Sequence, residues 1–397
     1  MRTKCFIEQN AIRNHAADIA RLGRHALILT GKNSSKMNGS LMDIEQVLTS
    51  TGTLYTVYDS VEENPSVETV LDACNMGISH GADFVIGLGG GSPMDAAKAV
   101  SLLLFHSREG LDYLYEKPTK QDVDADGNTI CFPVVAIPTT CGTGSEVTGV
   151  SVLTRNDLRT KKSIPHKIYP DISLLDPTYL MYAPYKILRD TAIDAMAHML
   201  ESYINNSAND ISRRYVLDGL KIWSRSKDVI LGKRKIGYTK NEHPENISDY
   251  VKRTQNPERA AADEITDLKI LSDMLTASNM AGRAIAITGT SLPHALSYRL
   301  TYELNIPHGP ATGIFQSGYL KYADEKTQRD LLRAMDFKDL DDFRSFLGQA
   351  IDIGNISDLD YSLVVEKSIK ELLADTARIK KVPYHVDRDV LESIACD

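Results

Sequence analysis

The chain has 397 residues, more than one hydrophobic core usually serves, so two domains are expected. Hydrophobic residues make up 42% and charged residues 25%, the balance of a globular enzyme and not of a fibrous or disordered chain. With 45 basic residues against 53 acidic ones, the formal net charge of -8 argues against a nucleic-acid binder, which would show a basic face.

The opening stretch Met1-Arg2-Thr3-Lys4-Cys5-Phe6 holds no apolar run of signal-peptide length. The longest aliphatic runs, such as Leu102–Phe105, fall far short of a membrane span. Cys5, Cys74, Cys131, Cys141 and Cys396 are odd in number and form no CxxC pair, so a reducing compartment is expected and not a disulfide framework. Together these features predict a cytoplasmic protein without a membrane partner.

In chain order, Ala26–Leu29 reads as a strand that ends in the turn Gly31-Lys32-Asn33-Ser34-Ser35. Thr53–Tyr58 is a second strand, and a helix is expected around Val67–His80. Phe84–Leu88 runs into Gly89-Gly90-Gly91, and Pro133–Ile137 runs into another polar, glycine-containing turn. Strands alternating with helices imply a parallel α/β sheet, whose ligands sit at the strand C-termini. Beyond about Pro184 strand-like runs become scarce, and amphipathic stretches such as Ile211–Ile222 and Leu268–Ile287 take over. The expected plan is an α/β dinucleotide-binding domain over 1–183 and an all-helical domain over 184–397. The charged segment Lys233–Ala261 carries two prolines and reads as a surface excursion.

Three turns hold candidate binding groups. Gly89-Gly90-Gly91-Ser92-Pro93-Met94-Asp95 joins a strand to a helix, where glycines let backbone N–H groups approach a phosphate and the helix terminus adds partial positive charge. Pro93 suits a first helical turn, with Ser92 expected as its cap. The spacing is not GxGxxG, and for the glycines alone an ordinary αβ turn is an equal alternative. Pro138–Thr148 packs hydroxyls and glycines into a second turn, able to serve a ribose, a pyrophosphate or a carboxamide, or simply its own backbone. In the third, Thr30–Lys36, there is no carboxylate of the kind an NAD site places at the ribose, but two lysines and several hydroxyls that suit a 2′-phosphate. A solvated loop is the competing reading.

Asp194 and His198 stand at i and i+4, on one helix face about 5–6 Å apart at Cβ. Alone, such a pair is more often hydrogen-bonded than metal-bound. His294 and His308 are 14 residues apart, roughly 21 Å along a continuous helix and too far to share an ion. Asn305-Ile306-Pro307 and Gly309 break that helix, so the chain can turn back and bring His308 towards His294. Three imidazoles and a carboxylate suit ferrous iron or zinc.

With these residues in view, the sequence resembles the iron-containing (group III) alcohol dehydrogenases, in particular their NADP(H)-using, butanol-dehydrogenase-like branch. The resemblance covers nearly the whole chain outside the charged excursion. It is carried by Gly89-Gly90-Gly91-Ser92-x-x-Asp95-x-x-Lys98, Pro138-Thr139-Thr140-x-Gly142-Thr143-Gly144-Ser145-Glu146-Val147-Thr148, Leu175-Asp176-Pro177, Asp194-Ala195-x-x-His198, His294-Ala295-Leu296 and Pro307-His308-Gly309. It implies a dehydroquinate-synthase-like architecture with a cleft between the two domains, and Asp194, His198, His294 and His308 as metal ligands, iron(II) first and zinc second. It further implies coenzyme contacts at Asn64, Gly90, Gly91, Ser92, Asp95, Thr139, Thr140, Thr143, Val152 and Lys161, to which the turn after the first strand, read from its own residues, adds Gly31, Ser34, Ser35 and Lys36. Gly31 stands where NAD-specific relatives have an aspartate, which favours NADP(H) over NAD(H). The implied reaction is hydride transfer between the cofactor and a short-to-medium primary alcohol or its aldehyde; a homodimer is expected as the common state of soluble enzymes. Many relatives carry a histidine four residues after the third ligand; here that position is Tyr298, which with His308 is the candidate for handling the proton. The alternatives are a dehydroquinate-synthase-type lyase and a non-catalytic metal- or nucleotide-binding relative.

Overall fold

Six short runs rich in aliphatic residues build a wholly parallel sheet: β1 (Lys4–Ile7), β2 (His25–Thr30), β3 (Leu54–Tyr58), β4 (Phe84–Gly89), β5 (Val134–Pro138) and, after a small hairpin, β8 (Ile172–Leu175). The spatial order is β1-β8-β5-β4-β2-β3. The structure, a computed structural model, describes residues 3–107, 109–236 and 262–396. Central strands β4 and β5 are buried along their whole length, as a sheet covered on both faces demands. Alternation along β2 sends Ile28 to one face, where Leu41, Ile44 and Leu48 of α2 (Ser40–Thr51) pack, just beyond the single-turn helix α1 (Ser34–Met37). Leu27 and Leu29 face the other way, against Val70 and Ala73 of α3 (Val67–His80) and Val100 and Leu103 of α4 (Gly91–Phe105).

Register decides where the turns fall. Thr30 pairs with Leu88, and Gly89 with Pro138, so the segments that follow β2, β4 and β5 lie side by side at the C-terminal edge of the sheet. Gly89 has φ 143°, a conformation that needs glycine, and this sharp exit starts α4 immediately beyond the strand. The hairpin pairs β6 (Val152–Arg155) with β7 (Thr160–Ser163) in antiparallel fashion. β1, β8 and this hairpin were not expected from the sequence pattern.

The second unit is helical. It contains α5 (Tyr185–Tyr203), α6 (Asp210–Trp223), most of the long α7 (Ala262–Thr288), α8 (Leu292–Glu303), α9 (His308–Gly313), α10 (Gln316–Lys321) and further helices to the C-terminal end, among them α11 (Asp358–Ala374). Asn209 begins α6 with a capping box, and the buried Trp223 at its end donates from Nε1 to the Ala192 carbonyl, 2.8 Å away, tying α6 to α5. The chain divides into Met1–Thr140, Ser145–Pro184 and Ile236–Ser272 on one side and Cys141–Gly144, Tyr185–Lys235 and Asp273–Asp397 on the other. Relative to the 183/184 line read from the sequence, Cys141–Gly144 and Ile236–Ser272 fall across it. Of the charged excursion, 237–261 lies outside the described residues. Among the described residues no helix is long and apolar enough to cross a membrane.

Candidate metal centre and coenzyme turns

Helix α5 carries Asp194 and His198 one turn apart, with Glu201 a further turn along the same face. His294 lies in the first turn of α8, which ends at Glu303. Asn305 then takes a left-handed φ of 54°, and Pro307 an extended ψ of 144°, so that a new helix, α9, begins at His308. Gly309 is required there: a Cβ on it would overlap the backbone carbonyl of Asp190. The missing side chain lets α9 lie against α5, and His308 is set beside Asp194.

The outcome is a ring of nitrogen atoms around one oxygen. Asp194 Oδ1 lies 3.8 Å from His198 Nε2, 3.6 Å from His294 Nε2 and 3.8 Å from His308 Nε2. Asp194 Oδ1 and His294 Nε2 are buried without a hydrogen-bond partner, an arrangement that costs free energy unless something else sits between them. Ligand bonds of about 2.0–2.2 Å in tetrahedral array put neighbouring ligand atoms roughly 3.4 Å apart, close to the spacing seen. Asp194, His294 and His308 together meet the geometry of a cation site. The donor set therefore fits a divalent transition metal.

Electrostatics point the same way. Burial alone would raise the Asp194 carboxyl, but the three imidazoles overcome it and hold the group well below the usual carboxylate range. Burial likewise would lower His294; Glu201 and Asp194 outweigh it and hold that imidazole above its ordinary range. His198, for which burial dominates, is pushed down, with Nδ1 3.3 Å from the Gly142 carbonyl. Two buried carboxylates thus face the histidines in a site built to hold positive charge. The Asp194, His198 and His294 side chains are 7% exposed or less, whereas His308 is 30% exposed and is the open side of the cluster. There the Tyr298 ring lies nearly parallel to that of His308, 6.4 Å away between centroids.

In the first unit the coenzyme candidates divide into free and engaged groups. Gly90 and Gly91 open α4, whose N-terminus has no side-chain cap; Ser92 does not cap it but accepts instead from the Asn64 backbone N–H at 3.0 Å. Asn64, with φ 58°, accepts at its side-chain oxygen from Lys161 Nζ and at its carbonyl from Thr154 Oγ1, both 2.7 Å away. Thr139 donates its N–H to the Gly89 carbonyl at 2.8 Å, and Thr140 lies beside Gly90. Thr143 belongs to the short segment grouped with the helical unit. Asp95 is engaged internally, accepting from Ser145 Oγ at 2.6 Å and from the Val152 N–H at 3.0 Å, so it organises the loop instead of offering a free carboxylate. Ser35 is fully buried and its hydroxyl accepts from Thr30. Gly31 and Ser34 remain at the surface of the turn, and Lys36 reaches Asp59 just past β3, 2.6 Å away.

The profile of the iron-containing alcohol dehydrogenases matches residues 2–177, and that of the C-terminal part of the same family matches 252–384. The chain belongs to this family. A crystal structure of an iron-containing alcohol dehydrogenase is 31% identical and superimposes with a TM-score of 0.79, covering 99% of this chain and 96% of the other. The iron-containing alcohol dehydrogenase of Thermotoga maritima is also 31% identical, with a TM-score of 0.78 over 99% and 97% of the two chains. Long-chain-alcohol dehydrogenase 1 of Geobacillus thermodenitrificans is 28% identical over 323 residues, 80% of this chain and 72% of that one. The parallel-sheet domain followed by a helical domain is the dehydroquinate-synthase-like architecture of these enzymes, and the chain is an alcohol/aldehyde oxidoreductase of the family.

Sequence reading missed three groups around these sites. Glu201 was legible in principle, seven residues after Asp194 and three after His198, on the face they share. Gln316, whose Nε2 reaches Glu201 at 3.2 Å, carried no local signal, because only tertiary folding brings α10 to α5. Asp59 was missed because it comes from the neighbouring strand and not from the turn it faces.

Proposed function

We propose that the enzyme interconverts a short-to-medium primary alcohol and its aldehyde with NADP(H), using a divalent ion, iron(II) first and zinc second, held by Asp194, His198, His294 and His308. The observation that carries this is the buried Asp194 Oδ1, ringed by three imidazole nitrogens at 3.6–3.8 Å with no hydrogen-bond partner of its own. When bound, such an ion supplies Lewis acidity to an alcohol or carbonyl oxygen, while the nicotinamide carries the hydride. The chain's own task is orientation and proton handling. His308, the most open ligand, marks the side from which substrate arrives. Tyr298, whose ring lies along it, carries a hydroxyl of the right chemistry to hold or pass the substrate proton.

Support for NADP(H) comes from the turn after β2, which has no carboxylate of its own and presents Lys36; Asp59 opposes it from just past β3. The lyase alternative would need a free basic cluster near the histidines, and Arg299 is held by Glu303 and Glu371. Relatives are named for long-chain alcohols, sulfoacetaldehyde and 1,3-propanediol, so substrate choice is tested on a panel of aldehydes, with butyraldehyde as the reference.

The deciding experiment purifies the protein without oxygen, measures bound metal, and follows oxidation of NADPH and NADH with each aldehyde. About one transition-metal ion per chain and NADPH-linked turnover are expected. His294→Ala should lose both metal and turnover. Full metal content and full activity in that variant would overturn the ligand assignment, and bound metal and cofactor without turnover would favour a binding protein.

A further inference from the structure

Glu201 is fully buried and hydrogen-bonded on both oxygens. Oε1 lies 2.5 Å from His294 Nδ1 and accepts from Gln316 Nε2 at 3.2 Å; Oε2 accepts from the Ser291 N–H at 2.6 Å and Ser291 Oγ at 3.3 Å. With the proton of His294 on Nδ1, every group that meets this carboxylate donates, which is the arrangement an acceptor-only side chain satisfies. Ser291 is the residue that begins α8, and His294 stands in that helix's first turn. The carboxylate therefore grips the imidazole and the helix start that carries it, and its negative charge suits a helix N-terminus.

We infer that Glu201 is a positioning residue: by accepting a hydrogen bond from His294 Nδ1–H it fixes the ring orientation and tautomer, and leaves the Nε2 lone pair aimed at the space beside Asp194 Oδ1. The inference rests on the ligand set proposed above and adds the residue that makes one ligand fit to bind. His198 has a weaker counterpart, the neutral Gly142 carbonyl at 3.3 Å. Of these two, His294 has the stronger acceptor behind it, and a ring so held gives a more basic nitrogen to a metal.

Glutamine is close to isosteric here but offers a single acceptor oxygen. Its NH2 must face either His294 Nδ1–H or the Ser291 N–H, and both are donors. One of the two grips is lost.

The test titrates zinc(II) against a competing chelator in the full-length protein, comparing wild type with Glu201→Gln and with Ser291→Ala. The latter removes a donor from the same carboxylate but leaves the bond to His294. Loss of such a hydrogen-bonding partner behind a ligand typically costs about 10–100-fold in metal affinity, expected in Glu201→Gln, with Ser291→Ala within roughly threefold of wild type. Wild-type affinity in Glu201→Gln overturns the inference, and so does an equal loss in Ser291→Ala, which would make the effect one of packing. Should Glu201→Gln not fold, the cobalt(II)-loaded wild type decides: a hyperfine-shifted imidazole N–H that exchanges slowly with solvent is expected, and its absence overturns the proposal. A wild type that binds no stoichiometric metal brings down the ligand set itself, and this inference with it.

Discussion

At Gly309 even a single added carbon would overlap the Asp190 carbonyl, so α9 rests on α5 only because that carbon is missing. His308 is the residue next to it, and its 3.8 Å approach to Asp194 depends on that contact. Gly309→Ala must push the two helices apart, at a cost of about 1–3 kcal/mol for overpacking a tight contact. The variant should melt earlier by calorimetry and bind zinc at least tenfold more weakly, since one of the four proposed ligands is withdrawn; unchanged metal binding would show that His308 is not placed by this contact. A second residue-level expectation concerns Tyr298. Tyr298→Phe keeps the ring beside His308 and removes only the hydroxyl. If that hydroxyl passes the substrate proton, kcat should fall by about a hundredfold, the lower range for a positioned acid or base, with KM and metal content unchanged. An unchanged kcat would hand the role to a cofactor hydroxyl or to water.

Among the elements, those legible in the sequence were the ones whose pattern is local. β2, β4 and β5 show as aliphatic runs because a sheet covered on both faces makes every position apolar, and α3 ran over Val67–His80 as expected. β7, Thr160–Ser163, is polar and partly exposed, and its strand character comes only from pairing with β6, so no pattern announced it. The break between α8 and α9 was legible from proline and glycine; what the sequence could not give was Gln316 on α10 or Asp59 past β3, which meet their partners through tertiary folding. In the proposed NADP(H) reading, Asp59 bears on coenzyme binding. Its pair with Lys36 is about two-fifths exposed on both sides, so it holds the lysine by no more than about 1 kcal/mol. A 2′-phosphate can therefore draw Lys36 away, and a hydrogen bond to such a charged group is worth about 1.5–3 kcal/mol, roughly tenfold or more in affinity. Lys36→Gln should weaken NADPH binding by that factor with NADH little changed, and Asp59→Asn should tighten NADPH, both read from nicotinamide fluorescence. Equal losses for the two cofactors in Lys36→Gln would remove this turn from coenzyme choice.

On the scale of the whole molecule the two chemistries are drawn from different parts of the chain. Asp194, His198, Glu201, His294 and His308 all come from the helical unit, while the turns after β2 and β4, Thr139 and Thr140 after β5, Asn64 and Lys161 come from the sheet unit. Thr143 is the one coenzyme candidate grouped with the helices. Each ligand should then leave its own footprint on backbone opening. A ligand at a hundred times its Kd adds about 2.7 kcal/mol to the stability of what it binds, and local opening of the segments it touches slows accordingly. Zinc(II) added without coenzyme should slow amide exchange in α5, α8 and α9 and leave the turns beyond β2 and β4 unchanged. NADPH added to the chelator-stripped protein should slow exchange in those turns, in the first turn of α4 and in the β6–β7 hairpin that carries Lys161, with little effect on α8. If zinc protected the glycine turns and not the three helices, the ion would belong elsewhere than beside Asp194, whatever activity the loaded enzyme showed.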